Sequence, residues 1–277
     1  MITSLPPSFQ RSGFLSLGSL RPANKKHRLL LGCEGGPDSG KSEFALSAPG
    51  PGIAIVLDRG MDPVFDNMNP PKTRQPNWAF KVVQLPKETQ ATQDTFREYW
   101  VNFRNDVKTA CENPDCRSIL IDGDSDSWEL QRLAAHGKLA GVAGKGFAYT
   151  EVNAARRAFY ARLWDSGKII IATNKIKKLY KNVYNPDHTP KLDTSGNQVR
   201  EWDGKSYERQ GFDDQEYLWQ VQIRNLYDED KRQWGVRILK CKANKELEGG
   251  ELWGSDCNFA ALVQNCYPQI PLQEWGY

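Results

Sequence analysis

A glycine-rich stretch near the start of the chain combines residue types that bind phosphate. Glycines let backbone amides wrap around phosphate oxygens, Lys41 can reach the β- and γ-phosphates of a nucleoside triphosphate, and the Ser42 hydroxyl is a Mg²⁺ ligand. The pattern G-x-x-x-x-G-K-[ST] therefore predicts binding of ATP with Mg²⁺. The alternative is a glycine-rich surface turn that happens to precede a lysine. The predicted nucleotide contacts are Gly35, Gly36, Pro37, Asp38, Ser39, Gly40, Lys41, Ser42 and Glu43.

The segments on either side of this stretch favour the phosphate-binding interpretation. Residues 29–33 form an apolar run typical of a buried strand, and residues 42–46 continue as a helix. The amino end of that helix adds a positive dipole. Strand, glycine loop and helix is the order that a phosphate-binding loop, or P-loop, requires.

Asp122 is the candidate for a second magnesium ligand. It ends the predicted buried strand 118–122, where an acid can hold Mg²⁺ directly or through water. The alternative is that Asp122 only caps the next helix. Gly123 follows at the position where many P-loop ATPases carry a catalytic glutamate, so we expect the water-activating base elsewhere.

Two further polar residues follow predicted core strands. Asp58 comes after the apolar strand 52–57 and is the candidate base, because the strand next to the P-loop strand can present a carboxylate to an attacking water. A surface ion pair of Asp58 and Arg59 is the alternative. Asn174 follows the last core strand, where a polar side chain can sense the outer phosphate or simply occupy a turn.

The elements that must position these residues alternate between strands and helices. This order favours an α/β fold with a mostly parallel sheet flanked by helices. A C-terminal antiparallel hairpin is predicted, in which residues near 219–223 pair with 234–240. The predicted core strands are 29–33, 52–57, 80–85, 118–122 and 169–173, and the predicted helices are 42–46, 92–111, 125–139 and one that begins at the N-cap Thr150.

Two lysine-containing segments are candidates for binding single-stranded DNA. Residues 174–212 are polar and too long for an ordinary connection, so we expect a functional loop there. Lysines neutralise phosphates and tyrosines can stack on bases. A second, glycine-rich loop lies near 136–147, and solvated surface is the alternative for both. The candidate DNA contacts are Lys138, Lys145, Phe147, Lys175, Lys177, Lys178, Tyr180 and Lys181.

Composition narrows the class of protein. The chain has 277 residues, of which 39% are hydrophobic, and a net charge of only +3. Its apolar runs are far shorter than the roughly 18 residues of a membrane span, so we expect a cytoplasmic protein without a membrane partner. Its six cysteines form no C-x-x-C pair and suggest neither a zinc site nor a disulfide framework.

The stretch 55–65 (IVLDRGMDPVF) resembles a segment of RecA recombinases, in which a strand ends at the catalytic glutamate and Asp-Pro follows four residues later. Asp58 takes the place of that glutamate and is one methylene shorter, a departure that bears on the rate of hydrolysis. The chain also resembles this family in a K-x-K after a late strand. There the resemblance implies that Lys240 and Lys242 act on the ATP of a neighbouring subunit, and the alternative is an edge strand guarded by lysines.

The overall order resembles the small RecA-like ATPases of bacteriophages and plasmids, a group that includes single-strand-annealing recombination proteins. The resemblance implies a RecA-like core at 27–245, between an extended arm (1–26) and a tail packed on the core (246–277). It implies a ring or filament with ATP at the subunit interfaces, and two loops that contact single-stranded DNA. A single-strand DNA-binding protein is a candidate partner, and the host cytoplasm is the expected location if the source is viral.

These expectations define a function and its rivals. The leading hypothesis is a DNA-dependent ATPase that binds single-stranded DNA and promotes annealing or strand exchange as an oligomer. A P-loop kinase is the second, although no arginine-rich lid is evident in the sequence. The third is an assembly or loading factor gated by nucleotide binding, without DNA-dependent turnover.

Overall fold

A computed structural model describes residues 27–57, 77–86, 91–137 and 149–277, and every structural statement below refers to these residues. Its strands are β1 (Leu29–Gly35), β2 (Gly52–Val56), β3 (Trp78–Val82), β4 (Ser118–Asp122), β5 (Ile169–Asn182), β6 (Arg200–Arg209), β7 (Val221–Asp228), β8 (Gln233–Cys241) and β9 (Glu251–Trp253). Its α-helices are α1 (Lys41–Leu46), α2 (Gln93–Glu112), α3 (Asp124–His136), α4 (Tyr149–Asp165), α5 (Gln215–Leu218), α6 (Phe259–Cys266) and α7 (Leu272–Trp275).

The main sheet has the strand order β3-β2-β4-β5-β1-β7-β8-β9. From β3 to β7 along this order, each strand is parallel to the next. The pairs β7–β8 and β8–β9 are antiparallel. The mixed α/β class, the mostly parallel sheet and the C-terminal hairpin are therefore confirmed. Because β5 lies between β1 and β4, the carboxyl ends of β1 and β4 lie beside residues 173–175 of β5, at one end of the parallel strands that we call the carboxyl edge.

Helices cover both faces of the sheet, which is why its central strands are apolar throughout rather than alternating. Helices α1, α6 and α7 pack on one face, in a core that includes Leu31, Ile171 and Phe259. Helices α2, α3 and α4 pack on the other, in a core that includes Ile121 and Phe103. In the described part of the chain, no helix is long and apolar enough to cross a membrane.

The largest difference from the sequence prediction concerns residues 174–212. The prediction of a single long loop is wrong, because β5 does not end at Thr173 but continues to Asn182 and pairs antiparallel with β6. We call the paired segments 176–182 and 200–209 the ribbon. Both of its faces are largely polar, so the ribbon lacks the apolar alternation that identifies a half-buried strand.

Smaller differences lie at the ends of elements. Strand β3 begins at Trp78, two residues before the predicted start, and ends at Val82. Helix α4 begins at Tyr149, so Thr150 lies inside it and is not its N-cap. Such boundaries depend on tertiary contacts more than on local sequence.

Candidate functional site

The glycine-rich stretch forms the turn between β1 and α1. Gly40 precedes α1 with φ +80°, a left-handed conformation that favours glycine. A Cβ at Gly40 would also lie 2.8 Å from Cδ1 of Trp234. Conformation and space together therefore require glycine at this position.

Lys41 lies against its own loop. Its Nζ donates to the carbonyl oxygens of Gly36 at 2.5 Å and Gly35 at 3.2 Å. The Ser39 hydroxyl donates to the same Gly36 oxygen at 2.9 Å. These bonds hold the ammonium group against the glycine-rich turn.

The two predicted magnesium ligands are in contact. The Ser42 hydroxyl donates to Oδ1 of Asp122 at 3.1 Å, across 80 residues of sequence. The Thr173 hydroxyl donates to the same carboxylate oxygen at 2.7 Å and accepts the Gly123 amide at 2.8 Å. Asp122 is 3% exposed, so its orientation is set by these buried partners.

The donor chemistry of this pair fits Mg²⁺. A hydroxyl and a carboxylate are the oxygen ligands that this ion takes, usually together with water and substrate phosphates. The described residues contain no group of three or more His, Cys, Asp or Glu side chains that could hold a metal ion. Ser42 and Asp122 would hold such an ion together with water and phosphate oxygens.

Asn174 lies at the same edge but on the opposite face of β5 from Thr173, because successive strand residues alternate. It is buried, and its Oδ1 has no hydrogen-bond partner among the described residues. The structure thus brings Thr173, rather than Asn174, against Asp122. Sequence reasoning missed Thr173. It lies two residues after Ile171, so the two side chains share one face of β5, the face on which Asp122 lies.

Sequence reasoning also missed a buried acid next to the glycine-rich turn. Glu34 is 2% exposed and pairs in register with Asn174 on one side and Arg224 on the other. Arg224 donates to its Oε1 through Nε at 2.8 Å and Nη2 at 2.5 Å, and Gln222 donates to Oε2 at 2.8 Å. Such a charge is tolerated in the interior because it is paired and hydrogen-bonded. The signal was an acid inside an otherwise apolar strand.

A buried network joins the carboxyl edge to the ribbon. Asp124, two residues after Asp122, forms an ion pair with Arg156 at 2.6 Å, and both side chains are fully buried. Gln215 donates to Oδ2 of Asp124 at 2.6 Å and accepts from Arg209, the last residue of β6, at 2.6 Å. The start of α3 is therefore connected through side chains to the base of the ribbon.

The candidate DNA lysines on the ribbon, and Lys175 next to it, have partners within the chain. Lys175 pairs with Asp126 at 2.8 Å, Lys177 with Glu208 at 3.1 Å and Lys181 with Asp203 at 3.0 Å. Nζ of Lys178 lies 4.4 Å from the ring centroid of Trp202. Tyr180 is 46% exposed and paired opposite Trp202.

Lys240 and Lys242 lie far from the P-loop of their own chain. Lys240 lies near the end of β8 and Lys242 directly follows this strand, beside the first residues of β7 and at the amino end of the parallel strands, whereas the glycine-rich turn follows their carboxyl end. Lys240 donates to the Glu216 carbonyl, and Lys242 donates to that of Tyr217 at 2.8 Å. Desolvation, together with the charge of Lys240, lowers the pKa of Lys242.

Cys33 lies on β1 two residues before Gly35 and is completely buried. Burial raises the pKa of its thiol, an effect that the positive charge of Lys41 opposes. All six cysteines are free thiols. A buried, protonated thiol is a small packing group rather than a nucleophile or a metal ligand.

Several sequence predictions lie outside the described residues. These are the candidate base Asp58, the extended arm 1–26 and the candidate DNA contacts Lys138, Lys145 and Phe147. They remain predictions. Comparison with known proteins adds no assignment, because neither the family models nor the curated proteins that were searched match this chain.

Proposed function

We propose that this protein is a RecA-like P-loop ATPase of the small phage type, which binds ATP with Mg²⁺ at the carboxyl edge. The observation that carries the proposal is the contact between Ser42 and Asp122, because the two predicted magnesium ligands meet although 80 residues separate them. If the glycine-rich turn preceded Lys41 only by chance, there would be no reason to expect contact between Ser42 and Asp122. The turn geometry at Gly40 is a second support.

The side chains at the edge have distinct roles in this proposal. Lys41 binds the outer phosphates, and Ser42 with Asp122 holds Mg²⁺, which neutralises phosphate charge when bound. Thr173 holds Asp122 in place through its hydroxyl. Asp58 is the proposed base that accepts a proton from the attacking water.

We further propose that the active form is an oligomer in which subunits meet head to tail. Lys240 and Lys242 lie at the end of the sheet opposite to the P-loop, so a direct role on ATP requires a neighbouring subunit. A head-to-tail contact generates a ring or a filament. Cations supplied by a neighbour would stabilise charge on the transferred phosphate.

The ribbon is the proposed contact for single-stranded DNA. Its lysines and aromatic residues project from the carboxyl edge, and its base is connected to Asp124 through Gln215. Exposed ion pairs such as Lys177 with Glu208 contribute little stability, so DNA phosphates can replace the acidic partners at small cost. Annealing or strand exchange is the proposed outcome.

The same pairs favour a second candidate function, an assembly or loading factor gated by nucleotide binding. Within the described residues, the ribbon acids partner Lys177 and Lys181, which lowers the net positive charge available for DNA. In that case ATP binding would organise the oligomer, and DNA would have no effect on turnover.

ATP hydrolysis with and without single-stranded DNA at low salt separates these functions, with Lys41→Ala as the inactive control. The proposed function predicts hydrolysis that DNA stimulates and that the variant loses. Oligomers that form with ATP, without stimulated hydrolysis or DNA binding, would instead support the assembly factor. Transfer of phosphate to a small-molecule acceptor by the monomer would contradict both and indicate a kinase.

A further inference from the structure

A cavity of about 270 Å³ lies directly beside the P-loop turn. Gly40, Glu43 and Phe44 form its wall on the side of α1. Arg232 and Trp234, from the turn between β7 and β8 and the start of β8, form the wall opposite. The cavity therefore lies between the P-loop turn and the C-terminal hairpin, which are far apart in the sequence.

Trp234 presents an aromatic surface to this cavity. Its side chain is 45% exposed, although its ring lies against Gly40 and its Nε1 donates to the Asp38 carbonyl at 3.3 Å. Tyr227 lies next to it, with ring centroids 5.3 Å apart. An indole that is held at Nε1 and is 45% exposed keeps ring surface on which a flat ring can stack.

The position of the cavity relative to the loop indicates what that ring is. Backbone amides of a P-loop hold the α- and β-phosphates, and Lys41 reaches toward the outer phosphates. The nucleoside must then leave the loop on the side of the first turn of α1, where Gly40 and Glu43 line the cavity. Gln233 and Glu43 add polar groups that can hydrogen-bond a base edge.

We infer that this cavity binds the base of the nucleoside triphosphate, which stacks on Trp234. The inference rests on the proposed function and adds the residue that binds the base. The simpler explanation is that Tyr227 and Trp234 are only a cross-strand aromatic pair, since they are directly opposite in the hairpin. That explanation predicts an effect of Trp234 on hairpin stability and none on the choice of ligand.

The test compares two ligands, ATP with Mg²⁺ and inorganic tripolyphosphate with Mg²⁺, by calorimetric titration. Base stacking on an aromatic side chain is lost on alanine substitution at a cost of about 5- to 150-fold in affinity. We expect Trp234→Ala to weaken ATP by this factor and to leave tripolyphosphate within about twofold. Trp234→Phe keeps a ring and should bind ATP more tightly than the alanine variant does.

Trp100→Ala, on α2 and away from both the cavity and the ribbon, is the matched control and should change neither affinity. Equal loss of both ligands in Trp234→Ala would overturn the inference, because Trp234 would then support the loop and not the base. Unchanged ATP affinity would overturn it as well. If the unaltered protein binds neither ligand, the proposed function itself fails, and the inference fails with it.

Discussion

The carboxyl edge and the ribbon share strand β5, yet they hold their charges in opposite ways. At the edge, Glu34 and Asp124 are buried and each accepts several hydrogen bonds, Glu34 from two side chains of β7 and Asp124 from side chains of α4 and α5. On the ribbon, Lys177 and Lys181 are exposed and each pairs with a single acid. Buried charges are costly to leave unpaired, whereas exposed pairs are worth little. The difference indicates that the charged side chains at the carboxyl edge are held in fixed positions, whereas those on the ribbon can exchange partners.

Removal of Arg156 gives the largest expected effect on stability. Arg156→Ala leaves the buried carboxylate of Asp124 without its cation, which we expect to lower the free energy of unfolding by about 3 to 5 kcal/mol. Urea denaturation measures this change. Lys181→Ala on the ribbon is the matched control and should cost less than about 1 kcal/mol. Similar costs for the two variants would remove the distinction between the regions.

Thr173→Val tests the positioning of Asp122. The variant keeps the shape of the side chain but removes the donor to Asp122 and the acceptor for the Gly123 amide. We expect a loss of about 1 to 3 kcal/mol in the free energy of unfolding, because both groups are buried. Thr189→Val, in the exposed tip beyond the ribbon, is the control. An equally small change in the free energy of unfolding for both variants would show that the Thr173 hydrogen bonds do not stabilise the fold.

The buried thiol Cys33 predicts a pH dependence. Burial raises its pKa above the ordinary 9.0, so the unfolded chain loses this proton at a lower pH than the folded one does. The contribution of Cys33 to the free energy of unfolding is therefore fully present below pH 9. It is lost as the pH rises, at up to about 1.4 kcal/mol per pH unit. Urea unfolding between pH 8.5 and 10.5 should show a smaller slope for Cys33→Ala, and an identical slope would refute this cause.

The ribbon lysines give the smallest expected effect on stability. Lys177→Ala, Lys178→Ala and Lys181→Ala combined should change the free energy of unfolding only slightly, since each single exposed pair contributes about 0 to 1 kcal/mol. The same variant should reduce the slope of log affinity for single-stranded DNA against log salt by about 0.7 per lysine that contacts phosphate. An unchanged salt dependence would exclude the ribbon as the DNA contact.

The sequence predicts the parts of this protein whose signals are local. Apolar runs located β1, β2, β4 and the start of β5, and the glycine pattern located the turn before α1. The ribbon was missed because its residues are polar on both faces, so its strands depend on pairing with each other and carry no periodic signal. The network of Asp124, Arg156 and Gln215 could not be predicted, because it joins three elements that only the fold brings together.

The central claim, that the carboxyl edge binds a nucleoside triphosphate with Mg²⁺, is tested most directly by calorimetric titration of the protein with ATP, with and without Mg²⁺. The account predicts binding that requires Mg²⁺ and that weakens at least about tenfold in Asp122→Asn and Lys41→Ala, a change of 1.4 kcal/mol. Far-ultraviolet circular dichroism should show that both variants stay folded. Absence of ATP binding by the unaltered protein, or equal binding by folded variants, would contradict the account.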